Sequence, residues 1–367
     1  MANFVLGKVK GISIELHPTF LLLIIAIFGF LLVFDAKSLA STMLLLAFLF
    51  ISVLLHELSH SLVALSKGFK IKSITLLPIG GVAQAEELPE KPKDELLIAI
   101  AGPFFNFAMV FGILAIGYAL IPQAKLLPSL ELLQNPDNLG LLIEKFPLFA
   151  LLWVNLLLGS FNLFVPALPM DGGRVLRSLL AFRMPFEKAT GIATKISSFI
   201  ALIMAIFGIL SGDFWLILIA AFVWIGAMSE MQSVSIKQTL RPVHFEKIIS
   251  QKPKAFSGLL NLEDAFEKMQ EKNQVESLVE LEKGFGFVSI ELMSSVKRAS
   301  WFETRLSDIA VKIPAVLAST PADKILQTMN QSGIPFIELV KNHEFAGIVS
   351  EKDLTKLYRL QKAENAP

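Results

Sequence analysis

The chain has 367 residues, no cysteine and a formal net charge of +1; 54% of it is hydrophobic, 18% is charged, and the mean hydropathy is +0.62. That hydrophobic share is above the globular norm and points to a lipid bilayer, while the length allows two or more domains. The near-zero charge gives no whole-chain argument for nucleic acid, and the absence of thiols excludes disulfides, cysteine nucleophiles and cysteine-held zinc, so any transition-metal site must use histidine and carboxylate.

Lys8 and Lys10 precede the first apolar run, Thr19 to Phe34. No small-residue cleavage site follows it, so the run is read as a spanning anchor. His17, just before Pro18, can approach a site from the membrane edge or simply sit at the interface. The second run, Leu39 to Ser66, carries His56-Glu57-Leu58-Ser59-His60. On a helix the two histidines, four apart, share a face and can grip one divalent metal, with Glu57 able to reach a water at that metal. Ionisable groups inside an apolar helix are costly and are read as functional. The pattern is that of a metallohydrolase working inside a membrane.

Beyond it, Ile71 to Leu77 and Val82 to Ala85 are short β-prone stretches around Pro78-Ile79-Gly80-Gly81, which predicts a hairpin or re-entrant strand pair that must be buried against helices or stay at the interface. Glu86 to Glu95, rich in proline and charge, reads as a surface linker. Further apolar runs follow at Leu96 to Ile121, Leu148 to Leu168, Ile196 to Leu210 and Phe214 to Ser229, the last two short and joined by a tight turn at Ser211-Gly212-Asp213. Six crossings put both termini on one side. Lys8 and Lys10, Lys67 to Lys72, Lys91 and Lys93, Arg174 to Lys188, and Lys237 with Arg241 fall on that side, against Lys37, Lys125 and Lys145 on the other. The positive-inside rule then makes the termini cytoplasmic.

A catalytic zinc needs three protein ligands and an open position. His56 and His60 supply two, and Asp171, in Leu168-Pro169-Met170-Asp171-Gly172-Gly173 on the same side, is the candidate for the third; the alternative reading of an aspartate at a helix end is a cap. Asn162 is a candidate donor to a developing oxyanion or, equally, an interhelical hydrogen-bonding residue. Asn106, after Gly102-Pro103, bends the third helix or bonds across it. From Val243 onward the composition becomes that of a soluble α/β domain. Lys252-Pro253, Leu262 to Phe266 and Gly286 to Ser289 parallel Ile313-Pro314, Ala322 to Leu326 and Gly347 to Ser350, a period of about 60 residues suited to two βαββα units. His244 and His343 read as solvated loop residues, and the 30 phenylalanines as bundle packing and lipid contact.

Taken together, His56 to His60, Pro78-Ile79-Gly80-Gly81-Val82, Ala101-Gly102-Pro103-Phe104-Phe105-Asn106 and Phe161 to Arg174 make the chain resemble the site-2 proteases, specifically the six-helix subgroup with a C-terminal CBS domain pair. Met-Asp-Gly stands here where some members have Asn-Pro-Asp-Gly. The resemblance implies zinc held by His56, His60 and Asp171, Glu57 as catalytic base, and hydrolysis of peptide bonds in or near transmembrane segments of other membrane proteins. It implies a mostly α, polytopic membrane protein: six transmembrane helices with a small membrane-associated β element over residues 1–235, and a CBS pair over 243–367, cytoplasmic like the termini. Gly347-Ile348-Val349-Ser350-Glu351-Lys352-Asp353 resembles the end of a CBS motif, with Ser350 and Asp353 placed to contact an adenine nucleotide; Gly286 to Leu292 lacks the matching aspartate. A pair that serves only for homodimerisation is the other reading of this domain. The rival for the whole chain is a CBS-regulated ion channel or transporter, which has no need for Glu57 and would favour an inverted helix repeat that is not evident.

Overall fold

The computed structural model describes residues 3–78, 80–85, 89, 91–120, 128, 129, 132, 139–241, 243, 254–342 and 344–364. Lys125, His244, Lys252, Pro253 and His343 lie outside these, as do Ile79 and most of the expected linker before residue 91. The chain divides into two compact units, Met1–Gln232 and Ser233–Pro367.

The first unit opens with strands β1 (Phe4–Val9) and β2 (Ile12–Leu16), joined by a turn in which Lys10 and Gly11 both have positive φ. Helix α1 (Pro18–Phe34) follows, with Pro18 in its first turn and His17 as its cap: the His17 Nδ1 accepts from the Thr19 backbone N–H at 3.2 Å. His17 is thus a helix cap and takes no part in the site described below. Then come α2 (Leu39–Ser66), β3 (Ile71–Leu77), β4 (Gly80–Ala85), α3 (Pro92–Leu120), α4 (Leu139–Lys145), α5 (Pro147–Phe164), α6 (Asp171–Ala181), α7 (Phe186–Ser211) and α8 (Phe214–Leu240).

Among the described residues five helices are long and apolar enough to cross a bilayer: Ala36–Ser66, Pro92–Leu120, Pro147–Phe164, Phe186–Ser211 and Phe214–Leu240. α1 has 17 residues; at 1.5 Å per residue it spans about 25 Å, short of a hydrocarbon core of roughly 30 Å. The last two helices, at 26 and 27 residues, are longer than the apolar runs that announced them. Hydropathy falls where serine, threonine and lysine enter, but the backbone hydrogen bonds continue. Their turn is as expected, with Asp213 Oδ1 accepting from the N–H groups of Trp215 and Leu216 at 2.9 and 3.2 Å. α5 stops at Phe164, short of the expected Leu168. Val165 is extended and Pro166 has no N–H to donate, so the chain crosses Leu168–Pro169, a cis peptide, in non-helical form before α6 begins.

The β element is larger than a hairpin. Its order is β1-β2-β3-β4, with β2 parallel to β3 (Ser13 opposite Ser73) and β3 antiparallel to β4 (Thr75 opposite Val82). β4 forms one edge, beside α2.

The second unit contains the end of α8 and two βαββ runs of one topology. In the first, β5 (Ala255–Ser257) is followed by α9 (Leu262–Glu271), β6 (Glu276–Glu280), β7 (Phe285–Ser289) and the short α10 (Ile290–Ser294) and α11 (Leu306–Ile309). β5 runs parallel to β6 and β6 antiparallel to β7, which also pairs with β8 (Val311–Lys312). In the second, β9 (Ala315–Leu317), α12 (Ala322–Ser332), β10 (Phe336–Lys341) and β11 (Glu344–Ser350) repeat the parallel and antiparallel pairings, and α13 (Glu351–Glu364) closes the chain. Leu278 and Phe287 from the first run pack with Ile334 and Ile348 from the second.

Candidate metal centre

The site is built on four helices that leave one another almost no room. α2 carries His56 and His60 one turn apart, so both rings leave the same face. Asp171 is the first residue of α6, after a cap position at Met170 whose side chain makes no capping bond. Its carboxylate turns instead to the histidines: Oδ2 lies 3.0 Å from His56 Nε2 and 3.2 Å from His60 Nε2, and the two Nε2 atoms are 3.1 Å apart. All three residues are buried. The reading of Asp171 as a helix cap therefore does not describe its carboxylate.

The outer nitrogens settle what the inner ones offer. His60 Nδ1 lies 2.6 Å from the backbone oxygen of Ile98, which can only accept, so Nδ1 carries the proton and Nε2 presents a lone pair. His56 Nδ1 lies 2.5 Å from Asn106 Oδ1. Two imidazole lone pairs and a carboxylate oxygen thus converge with no donor among them, an arrangement that repels itself unless a cation sits within it. Tetrahedral bonds of about 2.0–2.1 Å would set ligand atoms about 3.3 Å apart, close to the spacing of these three. The donor set fits a zinc-type divalent ion, with His56, His60 and Asp171 as the residues that could hold it.

Two glycines make the cluster possible. A Cβ on Gly102 of α3 would overlap His60 Nε2 and sit 2.7 Å from His56 Nε2, and one on Gly81 of β4 would come within 2.6 Å of the Glu57 Cγ. α3 and the edge strand are therefore pressed directly against the motif helix. A cavity of about 450 Å³ opens over the cluster, lined by Glu57, Asn162, Arg174 and residues 80–83 of β4 among others. Asn162 lines it, but its Nδ2 also donates to Leu158 O at 3.0 Å within its own helix, so one of its two hydrogens is already used.

At one side of the cavity Arg177 on α6 is buried between Glu95 of α3 and Glu230 of α8. It bonds Glu95 Oε1 through Nε at 2.8 Å and through a second, shorter contact, and Glu230 Oε2 at 2.9 Å; Ser178 Oγ donates to the other Glu95 oxygen at 3.0 Å. Burial lowers the guanidinium pKa, but the Glu95 and Glu230 carboxylates outweigh it and hold it above its ordinary value. Glu95, expected in a surface linker, is 1% exposed. The sequence gives no sign of this cluster, because Glu95 and Glu230 lie 82 and 53 residues from Arg177.

In the second unit Ser350 and Asp353 are brought together, on each other. Asp353 Oδ2 accepts from Ser350 N at 2.9 Å and from Ser350 Oγ at 2.6 Å, and Ser350 Oγ accepts from Asp353 N at 3.3 Å. This is a reciprocal cap at the start of α13.

Residues 44–204 match the family model described as peptidase family M50, and residues 306–359 match the CBS domain. A zinc metalloprotease of Methanocaldococcus jannaschii is 34% identical over 353 residues, covering 96% of this chain and 94% of that protein. Stage IV sporulation protein FB of Bacillus subtilis is 31% identical over 189 residues, 51% of this chain and 54% of its own. A solved site-2 protease from M. jannaschii aligns at 39% identity over 63% of this chain and 95% of that one, with a TM-score of 0.46. By its whole-length similarity to the M. jannaschii protease, the chain belongs to peptidase family M50, the site-2 proteases.

Proposed function

We propose that the protein is a zinc endopeptidase that cuts peptide bonds in or near transmembrane segments of other membrane proteins. The observation that carries this is the convergence of His56 Nε2, His60 Nε2 and Asp171 Oδ2, three acceptors within 3.0–3.2 Å of one another, beside a glutamate in a cavity at the end of an apolar helix. A relative over nearly the full length is named a zinc metalloprotease. When bound, zinc supplies Lewis acidity toward the scissile carbonyl and acidifies water.

The chain's own residues supply the rest. Glu57 takes the proton of the attacking water and returns it to the leaving amine, which needs no covalent intermediate. Asn162, with one amide hydrogen committed to Leu158, offers the other to the oxyanion. A peptide bond within a helix is shielded, so the substrate unwinds and its extended segment pairs with β4, the edge strand among the described residues, some of whose residues line the same cavity. α1 is the sixth crossing, shorter than the rest, and the lysines and arginines place both termini and the C-terminal domain in the cytoplasm. The channel or transporter reading gives no role to a glutamate beside the histidine pair.

Metal analysis and cleavage of single-span test substrates by purified protein test this. Glu57→Gln should retain about one zinc per chain while cleavage drops to a trace, and His56→Ala or Asp171→Ala should lose both. Substantial turnover in Glu57→Gln sinks the mechanism.

A further inference from the structure

Behind His56 a path of buried polar side chains runs through three helices. Ser52 and His56 are one turn apart on α2, and Asn155 of α5 and Asn106 of α3 connect them, with exposures of 2%, 3%, 1% and 0%. Asn155 Nδ2 bonds the backbone oxygen of Leu151 at 2.9 Å and Ser52 Oγ at 3.0 Å. Asn106 Nδ2 bonds Asn155 Oδ1 at 2.8 Å, and Asn106 Oδ1 meets His56 Nδ1.

We infer that the backbone carbonyl of Leu151 dictates which ring nitrogen of His56 carries the proton and which keeps a lone pair for a metal, with Asn155 and Asn106 as the positioning residues that transmit the choice. A carbonyl oxygen only accepts, so Asn155 must turn its NH₂ toward Leu151 and its oxygen toward Asn106. Asn106 must then meet that oxygen with its own NH₂, which leaves its oxygen toward His56. His56 Nδ1 must in turn carry the proton, and Nε2 is left with the lone pair. His60 receives the same instruction directly from Ile98 O; His56 receives it at third hand because no backbone carbonyl bonds its Nδ1. An asparagine alone could present either end of its amide. The buried chain of amides removes that freedom, and outer partners of this kind commonly change metal affinity roughly tenfold to a hundredfold.

The inference rests on His56 being a zinc ligand, and the test separates the two. Zinc affinity of the full-length protein in detergent is measured by competition with a chromophoric chelator for wild type, Asn155→Leu, Asn106→Asp and the double variant. Asn155→Leu frees the Asn106 amide to reverse and should weaken zinc at least about tenfold. Asn106→Asp sets a carboxylate against the oxygen of Asn155, which Leu151 prevents from turning, and should also bind more weakly than wild type. The double variant should recover to within about threefold of wild type, since a carboxylate has two acceptor ends, cannot be reversed, and now faces an apolar side chain. A residue that merely packs would not be rescued by a second change. Wild-type affinity in Asn155→Leu, or a double variant no tighter than the weaker single, overturns the relay while leaving the metal site standing. A wild type that takes up no zinc overturns both. If Asn155→Leu cannot be isolated folded, the double variant decides: folded and zinc-binding supports the relay, unfolded or weak removes it.

Discussion

A methyl group at position 102 would have to share space with the His56 and His60 Nε2 atoms that we propose as metal ligands. Gly102→Ala should therefore weaken zinc by tenfold or more and lower cleavage in proportion, since neither ring can retreat without breaking its bond to Ile98 O or Asn106. Chelator competition and metal content check this; unchanged affinity would mean that α3 can shift away from α2. The residues that converge in the buried cluster were legible in the sequence for a plain reason. His56, Glu57 and His60 fall within one helical turn, where spacing alone gives geometry, and Asp171 stands among prolines and glycines that break an apolar run. Asn106 and Asn155 were not legible as a pair. Each is an amide in an apolar helix, which reads as any interhelical bond, and they lie 49 residues apart. Asn162 illustrates the opposite case, a residue noticed from its motif whose amide turns out to be half engaged with its own helix.

At the level of elements, the strand beside the site invites a direct test. Among the described residues β4 pairs with a strand, β3, on one side only, so alternate backbone groups face away from the sheet. Proline placed singly at Val82, Ala83 and Gln84 removes one N–H at a time. Where the lost group faced outward, cleavage of a single-span substrate should fall several-fold with zinc retained, and a helix-breaking residue in the substrate should recover part of the loss. Full activity in all three variants counts against strand pairing. The hairpin of β3 and β4 could be read from two short β-prone stretches around a glycine pair. β1 and β2 were not read as strands, although they form a local antiparallel hairpin across Lys10-Gly11, and the parallel pairing of Ser13 to Leu16 with Ser73 to Leu76 is one that local sequence does not encode. Some helix ends were misjudged too, α5 as too long and α7 and α8 as too short. Hydropathy marks where a helix is greasy, whereas its extent is set by where hydrogen bonding runs, which stops at Phe164 for α5 and already starts at Phe186 for α7.

For the molecule as a whole, nucleotide binding by the C-terminal unit can be tested directly. Ser350 and Asp353 cap α13 through each other, so a nucleotide that uses them competes with the helix for the same atoms. We expect calorimetry on the full-length protein to show ATP, ADP or AMP binding. Asp353→Ala should weaken that binding about tenfold or more, the loss of one bond to a charged group. Binding matters for activity only if it also changes the cleavage rate. No binding at millimolar nucleotide, or binding without effect on cleavage, makes the unit a dimerisation platform instead. The repeat itself was visible from its period; its cap was not, since the same two residues suit a ribose and a helix end equally well. If a substrate does pair with the edge strand beside the histidines, that edge would grip main chain, which is common to every protein. The enzyme would then sort its substrates less by their lettering than by how cheaply a helix comes undone, and a membrane span would escape it by being well wound.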